Sequence, residues 1–270
     1  MPELPEVETS RRGIEPHIVD TRVTRVIIRN RSLRWPVSTA VDRNLTGNSI
    51  SSVSRRAKYL LINTPSGSAI LHLGMSGRVL IVDRDTPAGV HDHVDIDFDS
   101  GKTLRFRDPR RFGSLHWSRA PLKHKLLKSL GPEPLSEAFS GEYLHAKSRG
   151  RRVSIKQFIM NAQVVVGVGN IYASEALYLA CINPRRAAGR VSLARYELLA
   201  SAIKDVLSKA IAAGGTTLRD FYGGDGEAGY FQQQLEAYGR TDEPCRRCNT
   251  PITLVVQGQR STYYCKQCQT

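Results

Sequence analysis

The sequence predicts an α+β chain: an N-terminal β-sandwich with flanking helix, a helical second region, and a closing β-hairpin stapled by metal. Three observations carry this. Apolar and polar residues alternate with period two before residue 120, helical spacing replaces that alternation after residue 135, and four of the five cysteines lie in the last 26 residues. The chain has 270 residues, 40% apolar and 24% charged, enough to bury the core of one large or two modest domains.

Pro5 to Arg12 opens with proline and carboxylates and ends in Arg-Arg-Gly13, start and stop signals for a short helix. Strands are expected at 22–29, 50–62, 68–73, 78–83 and 113–117. His93 to Asp99 alternates apolar and acidic residues, which predicts a strand with one wet face. The turn Asp99-Ser-Gly-Lys102 then leads into a second alternating run, Thr103 to Arg107, and completes a hairpin. Pro121 to Pro134 reads as a linker, and 169–181 as helix. The clearest helix follows Ser192 as N-cap, with Leu199, Ile203, Val206, Leu207 and Ala210 on one face and Gly214-Gly215 as its stop. Residues 214–230 carry six glycines and read as a loop.

Charge narrows the function classes. A formal net charge of +14 favours a polyanionic partner. No run of about 18 apolar residues occurs, so no membrane span is expected. The acidic N-terminus resembles neither a secretory signal nor a transit peptide.

Cys245, Cys248, Cys265 and Cys268 form two C-x2-C knuckles. Each knuckle can turn both sulfurs toward one tetrahedral ion, so one structural Zn2+ with four cysteine ligands is expected. Strand formers at Thr253, Val255 and Thr262 to Tyr264 place the hairpin, with Gln257 to Arg260 as its tip. Cys181 reads as a small buried residue.

Pro2 would be exposed as a secondary amine once Met1 is removed. Such an amine titrates near pH 8, so part of it is neutral and nucleophilic at physiological pH. Attack on an aldehyde-level carbon gives an iminium that promotes elimination, and the adjacent Glu3 could move the protons. Taken alone, this dipeptide is more often a helix start. Gly167-Val-Gly-Asn170 is no dinucleotide fingerprint, because Tyr172 occupies the third glycine position and no strand-helix-strand unit surrounds it. A glycine turn opening a helix does present N–H groups to a phosphate.

The opening Pro2-Glu-Leu-Pro-Glu-Val-Glu-Thr-Ser-Arg-Arg-Gly13 closely resembles that of the formamidopyrimidine-DNA glycosylases. The resemblance continues through Arg55-Arg-Ala-Lys-Tyr59, His72-Leu-Gly-Met-Ser-Gly77, His91-Asp-His93 and Asp108-Pro-Arg-Arg-Phe-Gly113. It resumes at Gly131-Pro-Glu-Pro134, Gly167-Val-Gly-Asn-Ile-Tyr-Ala173, Gly214-Gly-Thr-Thr217, Tyr238-Gly-Arg240 and the cysteine hairpin, and so spans the chain in order.

The resemblance implies three domains: a catalytic β-sandwich over 1–130, a helix-two-turn-helix domain over 131–240 and a zinc-finger hairpin over 241–270. It implies a bifunctional glycosylase and abasic-site lyase that removes oxidised purines from double-stranded DNA and also acts at abasic sites. Pro2 would be the nucleophile and Glu3 the general acid/base, with Lys58 and Arg260 gripping phosphates beside the lesion. Met75, Arg110 and Phe112 would fill the void left by the extruded base. His91, Asn170 and Tyr238 would be further DNA contacts. Lys156 would lie near the damaged base or be an ordinary surface lysine. The loop 218–230 would cover the flipped purine. Monomeric action in the bacterial cytoplasm, on the nucleoid, is the matching expectation. Asn161 departs from the acidic residue common in the family at its position. An endonuclease VIII-like enzyme for oxidised pyrimidines and a non-catalytic zinc-dependent DNA-binding protein are the competing readings.

Overall fold

The computed structural model describes residues 2–215 and 235–270, so the expectation for the loop 218–230 lies outside the described residues. The described residues form two compact units. One holds residues 2–128 with Gly214 and Gly215; the other holds 129–213 and 235–270.

The first unit is built on two four-stranded antiparallel sheets. One sheet has the order β1 (Val23–Ile28), β6 (Asp92–Phe98), β7 (Lys102–Arg107), β5 (Arg78–Asp83). The other has β2 (Ser52–Arg56), β3 (Tyr59–Thr64), β4 (Gly67–His72), β8 (Ser114–Ser118). Val94, Ile96, Phe98, Leu104 and Phe106 of the first share one buried core with Leu60, Ile62, Leu71 and Leu115 of the second, the sandwich that the alternation predicts. Helix α1 (Leu4–Ile18) packs on strands of both sheets, as does the seven-residue α2 (Thr39–Leu45). The second helix escapes the alternation pattern. Its local signals are Ser38, whose hydroxyl accepts the Ala40 N–H at 3.0 Å, and the buried pair Val41 and Leu45 one turn apart.

Three elements differ from their expected form. Helix α1 runs past Gly13 and through Pro16 to Ile18. Ile14 and Ile18 are fully buried, and such burial is worth about 1.5–3 kcal/mol each, against about 1 kcal/mol for an interior glycine. The expected strand 50–62 is instead the hairpin β2–β3, because Ala57 takes φ +54° and turns the chain. Lys58 therefore sits in a tight turn rather than along a strand. Finally, β6 has no wet face, since every one of its residues is buried.

Arginines cover the acidic side of β6. Asp95 accepts both Arg105 Nε and Nη2 at 2.9 Å and Arg29 Nη2 at 2.6 Å. Asp92 accepts two donors of Arg107, and Asp97 accepts Thr103 Oγ1 and Arg25 Nε. Burial by itself would raise the Asp92 and Asp95 pKa values, but the arginines reverse this and hold both below 3.8. Their stabilisation is therefore complete above the unfolded pKa and is lost as pH falls through the lower folded value. Arg105→Met is expected to cost about 3–5 kcal/mol at neutral pH by stranding buried carboxylates. That deficit should shrink below pH 4, where protonated acids need no partner; a deficit independent of pH in denaturant melts would contradict the network's charge.

The second unit carries α3 (Gly141–Ser148), α4 (Ile155–Ile159), α5 (Asn170–Leu179) and α6 (Leu193–Ala212), followed by the hairpin β9 (Thr253–Gln257) and β10 (Arg260–Tyr264). Leu199, Ile203, Val206, Leu207 and Ala210 of α6 face a core that includes Tyr172, Leu177 and Phe158. Ser192 occupies the N-cap position without a side-chain cap bond, and Gly214 and Gly215, both at positive φ, terminate the helix.

Candidate functional site

In the first unit, the N-terminus leads directly into α1. Pro2 and Glu3 are buried, Glu3 to 3% exposure, and the Glu3 N–H donates to Glu6 Oε2 at 2.8 Å. The extended backbone of Glu3 (φ −102°, ψ −167°) makes it the N-cap, so its carboxylate stands at the positive end of the helix dipole. Gly215, at φ +85°, lies so close that a Cβ there would meet Glu6 Oε1 at 3.3 Å.

The same helix fixes the turn that carries Lys58. Glu8 accepts Arg55 Nε at 3.1 Å, together with Arg11 and Arg12, and burial's upward pull on its pKa is outweighed by these guanidiniums. Arg55 Nη1 in turn donates to the Ala57 carbonyl at 2.9 Å. A left-handed alanine costs about 1–2 kcal/mol, and these bonds hold it. Beyond the turn, the rings of Tyr59 and His72 stand 4.8 Å apart. Burial, with the charges of Lys58 and Arg34, lowers the His72 pKa to about 4. The Gly74 N–H donates to His72 Nδ1 at 2.9 Å, so the neutral ring carries its proton on Nε2. The sequence signal for His72 is its place two residues before Gly74 in the motif that also carries Met75.

Met75, Arg110 and Phe112 come together. At Gly74 (φ +70°) a Cβ would fall 2.4 Å from Gly113 N and Phe112 C, so only glycine lets the β4–β5 loop approach the β7–β8 loop this closely. Asp108, fully buried, knits the two loops: it accepts Ser76 Oγ at 2.9 Å and Gly113 N at 2.7 Å, while its carbonyl meets His93 Nε2 at 2.8 Å. The Arg110 guanidinium lies 4.9 Å from the Phe112 ring centroid. Met75 and Phe112 remain 38% and 39% exposed around an open cleft of about 700 Å3 that Leu33 and Arg34 also line. His91 is exposed and accepts the Asp108 N–H through its carbonyl at 3.0 Å.

In the second unit, Gly167 (φ +80°) and the N-cap Gly169 lead into α5 with Asn170 as its first residue. Asn170 Nδ2 reaches Tyr238 Oη at 3.5 Å, and its buried Oδ1 has no hydrogen-bond partner among the described residues. Glu175 was missed by sequence reasoning, although an acid amid the apolar residues of α5 was a visible anomaly. Its buried carboxylate accepts the N–H groups of Glu236, Ala237 and Tyr238 at 2.7, 3.0 and 2.7 Å, and so places Tyr238 against Asn170. The Tyr238 ring packs 4.8 Å from that of Tyr263 on β10.

The Sγ atoms of Cys245, Cys248, Cys265 and Cys268 all lie within 4.8 Å of one another. Two opposed pairs are 3.9 and 3.5 Å apart, far beyond a disulfide and near the ~3.8 Å edge of a tetrahedron with Zn–S bonds of about 2.3 Å. The donor set therefore fits one Zn2+ with every position filled. Tyr178 Oη at 3.3 Å and the Arg247 N–H at 3.5 Å flank Cys245 Sγ as outer partners. Cys181 is half-buried, and Arg247 Nη1 donates to its sulfur at 2.7 Å. Gly258 and Gln259, both at positive φ, form the expected hairpin tip, and Arg260 stands exposed beside it.

Lys156 is not an ordinary surface lysine. It is 1% exposed, and Nζ donates to Ser261 O and Thr262 Oγ1, each at 2.9 Å. Its ammonium serves the hairpin.

Residues 1–115 match the family model described as the formamidopyrimidine-DNA glycosylase N-terminal domain, and 130–222 match that of the formamidopyrimidine-DNA glycosylase H2TH domain. Residues 242–270 match a zinc finger found in FPG and IleRS. Proteins named formamidopyrimidine-DNA glycosylase from Stutzerimonas stutzeri and Nitrosococcus oceani are 58% and 57% identical, each over the full length of both chains. The fold is similar to that of MutM (Fpg) from Thermus thermophilus, with a TM-score of 0.90 at 34% identity, covering 99% of this chain and 98% of that one. Lactococcus lactis Fpg bound to DNA containing an abasic site gives a TM-score of 0.91 at 34% identity over 99% of each chain. The same protein with DNA containing Fapy-dG gives 0.90 at 33% identity, again over 99% of each.

Proposed function

The chain belongs to the formamidopyrimidine-DNA glycosylase family, and from that premise we propose how its residues carry out the reaction. It is a DNA glycosylase and abasic-site lyase of base excision repair that acts on oxidised purines in duplex DNA. The Pro2 amine attacks C1′ of the damaged nucleoside, and the bond from C1′ to the base breaks. The aminal so formed then opens: the C1′–O4′ bond breaks, O4′ takes a proton, and C1′ becomes an iminium that acidifies the neighbouring C–H, so that β- and then δ-elimination expel the 3′ and 5′ phosphates and leave a one-nucleotide gap. Glu3 takes and returns the protons of these steps. The observation that carries this reading is the burial of Glu3 next to Pro2 at the start of α1, where its carboxylate is shielded from bulk water and accepts the Glu6 N–H in a capping box.

Lys58, Arg260, Asn170 and Tyr238 hold the phosphates, and His91 contacts the DNA beside the lesion. The poorly satisfied amide of Asn170 supports a ligand contact there, since buried polar groups seldom stay unpartnered. His72, neutral with Nε2–H outward from its bond to Gly74, adds a donor that does not titrate near pH 7. Met75, Arg110 and Phe112, two half-exposed apolar side chains with a guanidinium stacked on the ring, refill the vacated stack. Zn2+ held by the four cysteines is structural: with four thiolates it has no open position, and it keeps the hairpin folded. The protein acts as a monomer in the bacterial cytoplasm, on the nucleoid.

Excision of 8-oxoguanine and of thymine glycol from matched duplexes tests the substrate class. The purine should be released faster at equal enzyme; faster release of thymine glycol would favour the endonuclease VIII-like reading.

A further inference from the structure

We infer that Lys156 is a positioning residue that sets the hairpin tip so that Arg260 meets the DNA backbone. This rests on the reading of Arg260 as a phosphate contact. Lys156 lies on α4, at 1% exposure, and its two 2.9 Å bonds end on Ser261 O and Thr262 Oγ1, the residues immediately after Arg260. The Thr262 hydroxyl, fully buried, accepts from the ammonium and donates to the Arg260 carbonyl at 3.4 Å. A buried charge thus fixes one hydroxyl rotor, and that rotor fixes the backbone of Arg260. Such charge-assisted bonds in a dry site are about twice as strong as neutral ones.

The next residue reinforces the arrangement. Gln157 lies against the tip, where a Cβ on Gly258 would fall 2.5 Å from its Nε2. Gly258 is at φ +54° and Gln259 at φ +61°, so α4 meets the tip on both sides of Arg260: Gln157 lies against the turn before it, and the Lys156 bonds fix the residues after it. A long arginine on a two-residue tip would otherwise lose much of its binding energy to ordering. The fourth helix thereby acts as the platform of the zinc hairpin, and its lysine acts through Arg260 rather than on the damaged base.

A double-mutant cycle on the full zinc-loaded chain tests this, with a duplex containing a tetrahydrofuran abasic analogue as probe. Arg260→Ala comes first: it should weaken binding about tenfold and lower the salt slope by about one. An unchanged Kd would overturn the phosphate role of Arg260 itself. With that role in hand, Lys156→Met should reproduce both effects and add almost nothing in the Arg260→Ala background. Independent, multiplying losses would overturn the inference. Thr262→Val keeps every charge and removes only the bridging hydroxyl; it should weaken binding about threefold, with rescue by Thr262→Ser. A neutral Thr262→Val would overturn the bridge through the hydroxyl, and a Lys156→Met loss selective for 8-oxoguanine with the salt slope unchanged would mean that the lysine acts on the base.

Discussion

Glu3→Gln is expected to slow single-turnover excision of 8-oxoguanine by about 10²–10⁴-fold, the usual worth of a positioned general acid/base. The amide matches the carboxylate in shape, and the backbone bond from Glu3 N to Glu6 Oε2 does not involve the replaced group. Folding and affinity for an abasic-analogue duplex should therefore change little, with Kd within about threefold. The helix N-terminus favours an anion at this position by about 0.3–1 kcal/mol, so a small loss in melting temperature is the expected structural cost. Equal losses in rate and in binding would instead mark Glu3 as a part of the scaffold. An unchanged rate would remove it from the chemistry.

Loss of zinc should have the second large effect. Structural Zn2+ in small finger modules contributes about 10–16 kcal/mol of apparent binding energy, far more than the hairpin's two strands could replace. Chelation, or Cys265→Ser, should abolish measurable DNA binding, because Arg260 and Tyr263 depend on the folded hairpin. Damage should extend beyond the hairpin to α5 of the same unit: Tyr178 shares a small buried cluster with Cys245, Ile252 and Cys265, and its hydroxyl meets the Cys245 sulfur. The β-sandwich has its own core and should stay folded. Hydrogen exchange reads this directly, with protection lost across 170–179 and 242–270 and kept in the strands of the first unit. Retained binding after verified metal removal would contradict the role given to the hairpin.

Much of this was legible in the sequence, for identifiable reasons. Alternation names strands wherever one face enters the core, and the knuckle spacing of the cysteines leaves little choice of geometry. What stayed hidden depends on partners distant in sequence. The carboxylates Asp95 and Asp97 look solvated until Arg105 and Arg25 are brought over them. The turn at Ala57-Lys58 lacks the Asn-Gly or Gly-Gly signal of a tight hairpin, and bonds from Glu8 through Arg55, distant in sequence, help hold a left-handed alanine there. Gly13 and Pro16 are stop signals overruled by two buried isoleucines. Lys156 reads as an ordinary surface lysine because its acceptors lie more than a hundred residues away. Local propensity marks where elements begin; tertiary burial decides where they end and which charges see water.

The proposed reacting group is the backbone amine of Pro2, a group absent from any count of charged side chains. Borohydride reduction of the native protein on a duplex containing 8-oxoguanine tests it most directly. Digestion and mass spectrometry should find the reduced sugar adduct on the N-terminal peptide, on the nitrogen of Pro2. An adduct carried by Lys58 or another lysine, with the N-terminal peptide unmodified, would contradict the account.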